Sequence, residues 1–535
     1  MAKRCIGVVG ISLFCLFLPS CVSYDVTSPS DYVGPVQKEP AAPSATQKPK
    51  EPTTKPAARA VPSTGPIELT VPDAILQALE NNEALVVERY NPEISRTGVM
   101  IQRAAFDPNF FAGVSTQRTK TKFPGIDSFV GKSTDGLVGI SEFLPTGTTI
   151  DLGLTTNVQN NDPDLFGSRA GLSINQSLLQ GGSIAANLAS LRQAKIDVLT
   201  TQYQLRGFAE QLVASTEETY WDYVLAQRQI EIVEQSLQLA EDQLNDTNER
   251  IAVGKLAETE RAAAEAEVAS RKSTLINARS ALQNVRLSML CLINPPGAKL
   301  FDREIVPREL PTIPALDLGA VEDHVKVGFR MRPDLNEARL RVNRGDLEIV
   351  KTRNGLLPQL DLFTNLGRTG YAGSFGPSLN NITHGPSYDM EVGLDFQYPL
   401  LNRAAEAKNT AATLNRDKLK EALKNQAQLA EVDVRTAYIE VVRSNEQVFA
   451  KGATRKAQEE TVRAETEKFR VGSSTSLLVA TAQRDLLVAQ IAEVQAVADY
   501  LKSLVELYRL DGSLLERRGV ASPGRTPVVL SKDYK

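Results

Sequence analysis

The stretch Gly171–Gln180, GLSINQSLLQ, reads as a strand that turns directly into a helix. Gly393–Asn402, GLDFQYPLLN, repeats it: Gly171 corresponds to Gly393, Leu172 to Leu394, Leu178 to Leu400 and Leu179 to Leu401. Ile174 with Phe396, Asn175 with Gln397 and Gln180 with Asn402 are like for like. A long helical run follows each copy. Each run ends in a matching tip, RIAVGK at Arg250–Lys255 and FRVGSS at Phe469–Ser474. One strand-and-helix unit is written twice, so function is expected to lie in what that unit builds.

The runs set the scale. Ser183 to about Ala252 holds no proline and one interior glycine, Gly207, and Ala404 to about Arg470 is nearly as long. About 70 helical residues span on the order of 100 Å. Returning helices are expected after each tip, over about Glu258–Leu292 and Thr475–Leu510. Ile230, Val233, Leu237, Ala240 and Leu244 step by three and four, as do Leu487, Ile491, Val494, Ala498, Leu501, Val505 and Tyr508. Such stripes are helix-packing seams. Upstream of each corner lies another helical pattern, Val71 to about Phe106 and Val321 to about Leu356, each stopped by a proline, Pro108 or Pro358.

The strands alternate strictly. Met390, Val392, Leu394, Phe396 and Tyr398 point one way, and Asp389, Glu391, Gly393, Asp395 and Gln397 the other. Gln359–Leu366 pairs naturally with it, placing Asp361 and Asn365 on the polar face. Ala170, Leu172 and Ile174 against Arg169, Ser173 and Asn175 repeat the pattern. Period two over about ten residues suits a membrane-barrel strand, and also a half-buried soluble sheet. Unit one carries an extra piece: 63 positions separate Pro108 from Gly171, against 35 from Pro358 to Gly393. The surplus, Leu137–Leu144, a Pro145-Thr146-Gly147 turn and Thr149–Thr155, reads as an added hairpin. Either an extracellular loop or two more wall strands would fit it.

Composition excludes several classes. Lys and Arg total 60 and Asp and Glu 64, a net charge of −4, which gives no reason to expect nucleic acid as a partner. Four cysteines supply no disulfide framework, and Cys291, alone in a helix, is expected to pack as a small apolar side chain. No P-loop, GxGxxG after a strand, GxSxG or His/Cys cluster appears, so neither an enzyme nor a cofactor or metal site is expected. Lys3, Arg4 and the apolar run Cys5–Leu18 form a secretory signal. Its end, Leu18-Pro19-Ser20-Cys21, resembles a bacterial lipobox, which implies acylation of Cys21. Val22 after it resembles signals retained at the outer membrane. Residues 22–66, rich in Pro, Ala, Thr, Ser and Lys, read as a disordered tether.

Closure then constrains the architecture. A sheet in lipid cannot leave an open edge, and four or even six strands cannot close into the usual minimum of about eight. The chain must oligomerise, with Asp361, Asp389, Glu391 and Asp395 lining a wet, cation-favouring lumen. The two-unit layout, the corners Gln176–Gly182 and Pro399–Arg403, the long proline-free helices and the twin VG tips resemble the TolC-like outer membrane efflux protein family over about Ile67–Leu510. The resemblance implies an α+β membrane channel-tunnel of two tandem helix–β-hairpin–long-helix–helix repeats. In that family three chains form a 12-stranded β-barrel continued by a long α-helical barrel in the periplasm. It further implies a homotrimer in outer membrane lipid, docked through its tips on a periplasmic adaptor (membrane fusion) protein and served by an inner-membrane RND or ABC transporter. The lipobox resembles the lipidated branch.

Residue by residue, the resemblance puts tip docking on Val253, Gly254 and Lys255 and on Val471, Gly472 and Ser473. Phe469 matches the family's gating aromatic; Ser474, Leu478 and Thr481 stand where some members carry Arg and Asp. Glu258 and Glu260 are the alternative acidic lining of the tunnel entrance. The expected organisation is a signal peptide over 1–20, a lipid-anchored linker over 21–66, repeats over 67–293 and 321–514, a linker over 294–320 and a tail over 515–535. The expected role is a passive exit duct in a tripartite efflux or type I secretion system, exporting small molecules, metals or proteins. A non-channel periplasmic coiled-coil structural or adaptor lipoprotein is the rival reading.

Overall fold

The computed structural model describes residues 65–122, 124–125, 129–159, 165–296, 300–309, 311, 313, 318–524 and 526–530. The signal, the Cys21 lipobox and nearly all of the tether lie outside the described residues.

Two repeats are present. The first runs β1 (Ile67–Leu69), α1 (Val71–Asn81), α2 (Glu83–Arg103), then strands β2 (Asn109–Thr121), β3 (Phe129–Phe143), β4 (Thr148–Gln159) and β5 (Leu165–Ser177). It continues through a short α3 (Ile184–Asn187) into the long α4 (Ala189–Ala252) and returns in α5 (Thr259–Ile293). The second runs β6 (Ile305–Pro307), α6 (Val321–Met331), α7 (Pro333–Asn354), β7 (Gln359–Ala372), α8 (Phe375–His384), β8 (Tyr388–Gln397), α9 (Arg403–Arg470) and α10 (Ser476–Leu510). A last turn, α11 (Leu514–Arg517), follows.

The upstream helices, read from sequence as continuous, are each broken at equivalent points. Asn82 leaves the helical region at ψ 118°, accepts the Leu85 amide on its side chain and donates from Nδ2 to the Leu292 carbonyl, 3.1 Å away. Arg332 sits at ψ 125° because Pro333 excludes the helical conformation from the residue before it. The stretch 294–320, expected to be linker only, contributes β6, which pairs in parallel with β1. The boundary expected at 514/515 falls inside α11, whose Leu514 and Leu515 are fully buried. Cys291 is exposed on α5 rather than packed as an apolar side chain.

The added hairpin is part of the sheet. Six strands form one antiparallel sheet in the order β2-β3-β4-β5-β7-β8, so the repeats meet where β5 pairs with β7. The register keeps odd-numbered residues opposite odd-numbered residues across all five pairings, from Phe111↔Gly139 through Gly153↔Gly171 to Asp361↔Asp395. Since strand neighbours alternate faces, one face carries all the odd positions and the other all the even ones. The hairpin's lower turn is tied to the corner. Ser177 donates its amide to Gly147 O (3.0 Å), Asn187 Nδ2 to Pro145 O (3.0 Å) and Gln176 Nε2 to Thr146 O (3.0 Å). Phe143 stacks on Phe106 with ring centroids 5.9 Å apart.

At about 1.5 Å per residue, α4 and α9 are each about 100 Å long. They pack laterally in the order α5, α4, α10, α9. The main core lies near the middle of α4 and α9, where Val213, Tyr220, Leu290, Val441 and Leu507 are buried. Trp221 packs there edge-on against Tyr220. Among the described residues no helix is long and apolar enough to cross a membrane.

Candidate functional site

Both helical tips use one backbone device. After Ala252, Val253 caps α4, Gly254 takes φ +71°, and the Gly254 and Lys255 amides reach back to Ile251 O (2.9 Å) and Arg250 O (2.8 Å). After Arg470, Val471 caps α9, Gly472 takes φ +80°, and the Gly472 and Ser473 amides reach Phe469 O (3.1 Å) and Lys468 O (2.7 Å). This pair of bonds is the Schellman motif, which favours glycine because a Cβ is strained at such a φ. Among the described residues, and apart from the adjoining residues of the chain, nothing lies within 4 Å of a Cβ built on either glycine, and Val253 and Val471 are 66% and 75% exposed. Two equivalent apolar side chains therefore stand in solvent beside open backbone, with Lys255 and Ser473 also exposed.

The tips touch each other. The Arg250 guanidinium lies 4.7 Å over the Phe469 ring, donates toward Phe469 O and pairs with Asp246 at 3.0 Å. Phe469 is only 4% exposed and packs under Arg250. Glu260 accepts a hydrogen bond from Ser476 Oγ, joining the start of α5 to the start of α10. Glu258 is exposed and faces Arg261 at 3.8 Å. Lys468, together with the Ser474 hydroxyl, holds the Glu465 carboxyl below its usual range. Arg250 and Ser476 were not singled out from the sequence. An arginine three residues before one VG and an aromatic two before the other were the available signal.

On the sheet, Asp361, Asp389, Glu391 and Asp395 do share the odd face, with Asp361 directly opposite Asp395. Their surroundings differ. Asp389 is bound by Arg169, whose Nε lies 3.1 and 3.2 Å from its two carboxyl oxygens. Asn365 donates to Glu391 (2.9 Å) and accepts from Ser173 (2.7 Å). Asp361, nearly buried, accepts from Gln359 Nε2 at 3.0 Å. The inserted strands add Asp135 and Asp151 to this face. The six strands thus bring six acids and one base, Arg169, to the odd face, a net −5 per chain. The even face carries exposed Val114, Val138, Ile140, Leu152, Leu366, Met390, Val392, Leu394 and Phe396.

The sequence model of the outer membrane efflux protein family matches residues 74–293 and 330–513, both repeats. A relative described as the probable efflux pump outer membrane protein TtgC of Pseudomonas putida is 25% identical over 458 residues, 84% of each chain. The outer membrane efflux protein BepC of Brucella suis is 21% identical over 449 residues, 83% of this chain and 86% of that one. The Campylobacter jejuni CmeC outer membrane channel superposes with a TM-score of 0.64 at 17% identity, covering 83% of this chain and 86% of that one. The Neisseria gonorrhoeae MtrE channel gives 0.60 at 20% identity, covering 90% and 98%. Fold, paired tips and matched span agree: the chain belongs to the outer membrane efflux protein family and is an outer membrane exit duct for efflux.

Proposed function

We propose that three copies of this chain close edge to edge into one passive conduit. The sheets form the outer membrane wall, and α4, α5, α9 and α10 continue it through the periplasm. The observation that carries this reading is the unbroken parity of the sheet: the even face carries an exposed apolar belt, flanked by Arg118, Lys120, Lys132 and Arg368 toward the end away from the helices and by Glu142 at the helix end, while the odd face carries six acids. The soluble coiled-coil alternative would leave that whole apolar face in water, where patches of this size drive association. Among the described residues both sheet edges, β2 and β8, are unpaired, and a bilayer penalises every such backbone group by several kcal/mol. Strand β8 runs toward the helices and β2 away from them, so one chain's β8 meets the next chain's β2 antiparallel.

The duct performs no chemistry in this reading. Energy comes from an inner-membrane RND or ABC transporter, coupled through a periplasmic adaptor that docks on Val253–Lys255 and Val471–Ser473. Glu258 and Glu260 lie beside the tunnel mouth. Asp361, Asp389, Glu391 and Asp395 face the lumen, and Cys21 carries the lipid anchor. The test is reconstitution: heat-modifiable trimers that conduct in planar bilayers are expected, and a monodisperse soluble monomer without conductance would sink the reading. For docking, Val253→Asp combined with Val471→Asp is expected to abolish export with trimers intact, since neither side chain packs within the chain. Unchanged export removes the tips from the docking surface.

A further inference from the structure

The sheet of this chain is as wide as its helical layer, and the inserted hairpin β3–β4 makes it so. With strands about 4.8 Å apart and tilted by about 40°, six strands occupy about 38 Å of wall, whereas four would occupy about 25 Å. The four packed helices, at about 9 Å spacing, occupy about 36 Å. At this tilt six strands span about the same width as the four helices.

Three observations place the hairpin in the wall. Its register joins β2 on one side and β5 on the other, over 13 and 12 paired positions. Its alternation has the phase of the rest of the sheet, with Val138, Ile140, Leu152 and Leu154 on the even face and Asp135, Ser141, Asp151 and Thr155 on the odd. Its lower turn, with Pro145 and Gly147 buried, is hydrogen-bonded to Ser177, Gln176 and Asn187 at the strand-to-helix corner. A surface loop needs none of these, and a one-residue slip would turn the apolar set into the lumen.

We infer that the hairpin gauges the pore: six strands from each of three chains close an 18-stranded barrel that continues the helical tunnel without narrowing and passes correspondingly bulky cargo. The inference rests on the trimeric duct reading. A barrel of 18 such strands has a radius of about 18 Å, and after about 5 Å of side chain leaves a bore of about 26 Å. Twelve strands with the same tilt leave about 14 Å. The cross-section differs about threefold. The wider class admits folded peptides and large amphiphiles as well as small solutes.

Deletion of residues 122–160 removes β3 and β4 and leaves β2 and β5 antiparallel with matching parity. Native mass spectrometry counts the copies. Polyethylene glycols of graded size, added on the extracellular side of the full-length channel and of the deletion variant, measure the bore. Three copies, with a polymer about 20 Å across entering the full-length barrel but not the variant, are the expected result. Two copies, or one cut-off for both channels, overturn the inference while the duct stands; loss of conductance in the full-length protein overturns both. Because the deletion can fail to assemble, a second arm uses the whole chain in a Cys291→Ser background. A membrane-impermeant maleimide is expected to label Asp151→Cys at least tenfold faster than Leu152→Cys. Equal rates mean the hairpin is not in the wall.

Discussion

Gly147 holds φ +80°, and a Cβ there would stand 2.3 Å from Gly181 O and 3.1 Å from the Gly182 Cα. The turn of the hairpin and the strand-to-helix corner fit together only without that atom. Gly147→Ala is therefore expected to lower the temperature at which trimers dissociate in a heat-modifiability assay, by both strain and collision. A second residue-scale case is His324. Its Nδ1 faces Asp511 Oδ2 at 2.8 Å and its Nε2 faces Leu318 O at 2.9 Å, so both ring nitrogens are needed as donors. The Asp511 hydrogen bond raises the imidazole pKa against burial, with Arg517 opposing weakly. A raised value means the pair's stability is fully present below 6.5 and is lost as pH rises through the folded-state pKa. The melting-temperature gap between wild type and His324→Gln is expected to shrink from pH 6 to pH 9; a constant gap would contradict the charged-ring assignment.

At the scale of elements, breaks and ties matter more than helix length. Asn82 caps α2 and bonds α5 at once, so Asn82→Ala is expected to cost about 1–2 kcal/mol in thermal or denaturant unfolding. The tail is held by Arg206, fully buried on α4. It donates to Glu210 (2.9 Å), Gly512 O (2.9 Å) and Glu516 (2.8 Å). Burial pushes the Glu210 carboxyl up to about 7 despite that guanidinium. Arg206→Ala is expected to destabilise by about 3–5 kcal/mol and to open residues 512–530 to protease. The loss should be larger at pH 8, where Glu210 is ionised, than at pH 5, where it keeps its proton. Tail cleavage at the wild-type rate would show that Arg206 is not the anchor.

At the scale of the whole molecule, in the proposed conduit the odd face sets the electrostatics and the even face the membrane fit. Asp389 is offset by Arg169, so the cation preference proposed for the conduit rests on Asp135, Asp151, Asp361, Glu391 and Asp395. Glu391→Gln with Asp395→Asn takes the net −5 of each chain to −3 and is expected to move the reversal potential in a salt gradient toward zero. An unmoved potential would take these carboxylates out of the lumen.

The sequence by itself determined the duplicated unit, the long helices, the VG tips and the face on which Asp361, Asp389, Glu391 and Asp395 stand. These are local properties: a 3.6-residue or two-residue period and a glycine at a reversal are written in neighbouring residues. Only the tertiary structure decided that the hairpin joins the sheet, that Phe469 is buried under Arg250 and that Asp389 is bound to Arg169. It also decided that the tail and the 294–320 stretch are fastened to the core through Arg206 and β6. Each depends on partners up to about three hundred residues apart, as in Arg206 with Glu516, and a chain's periodicity carries no record of which distant backbone it will meet.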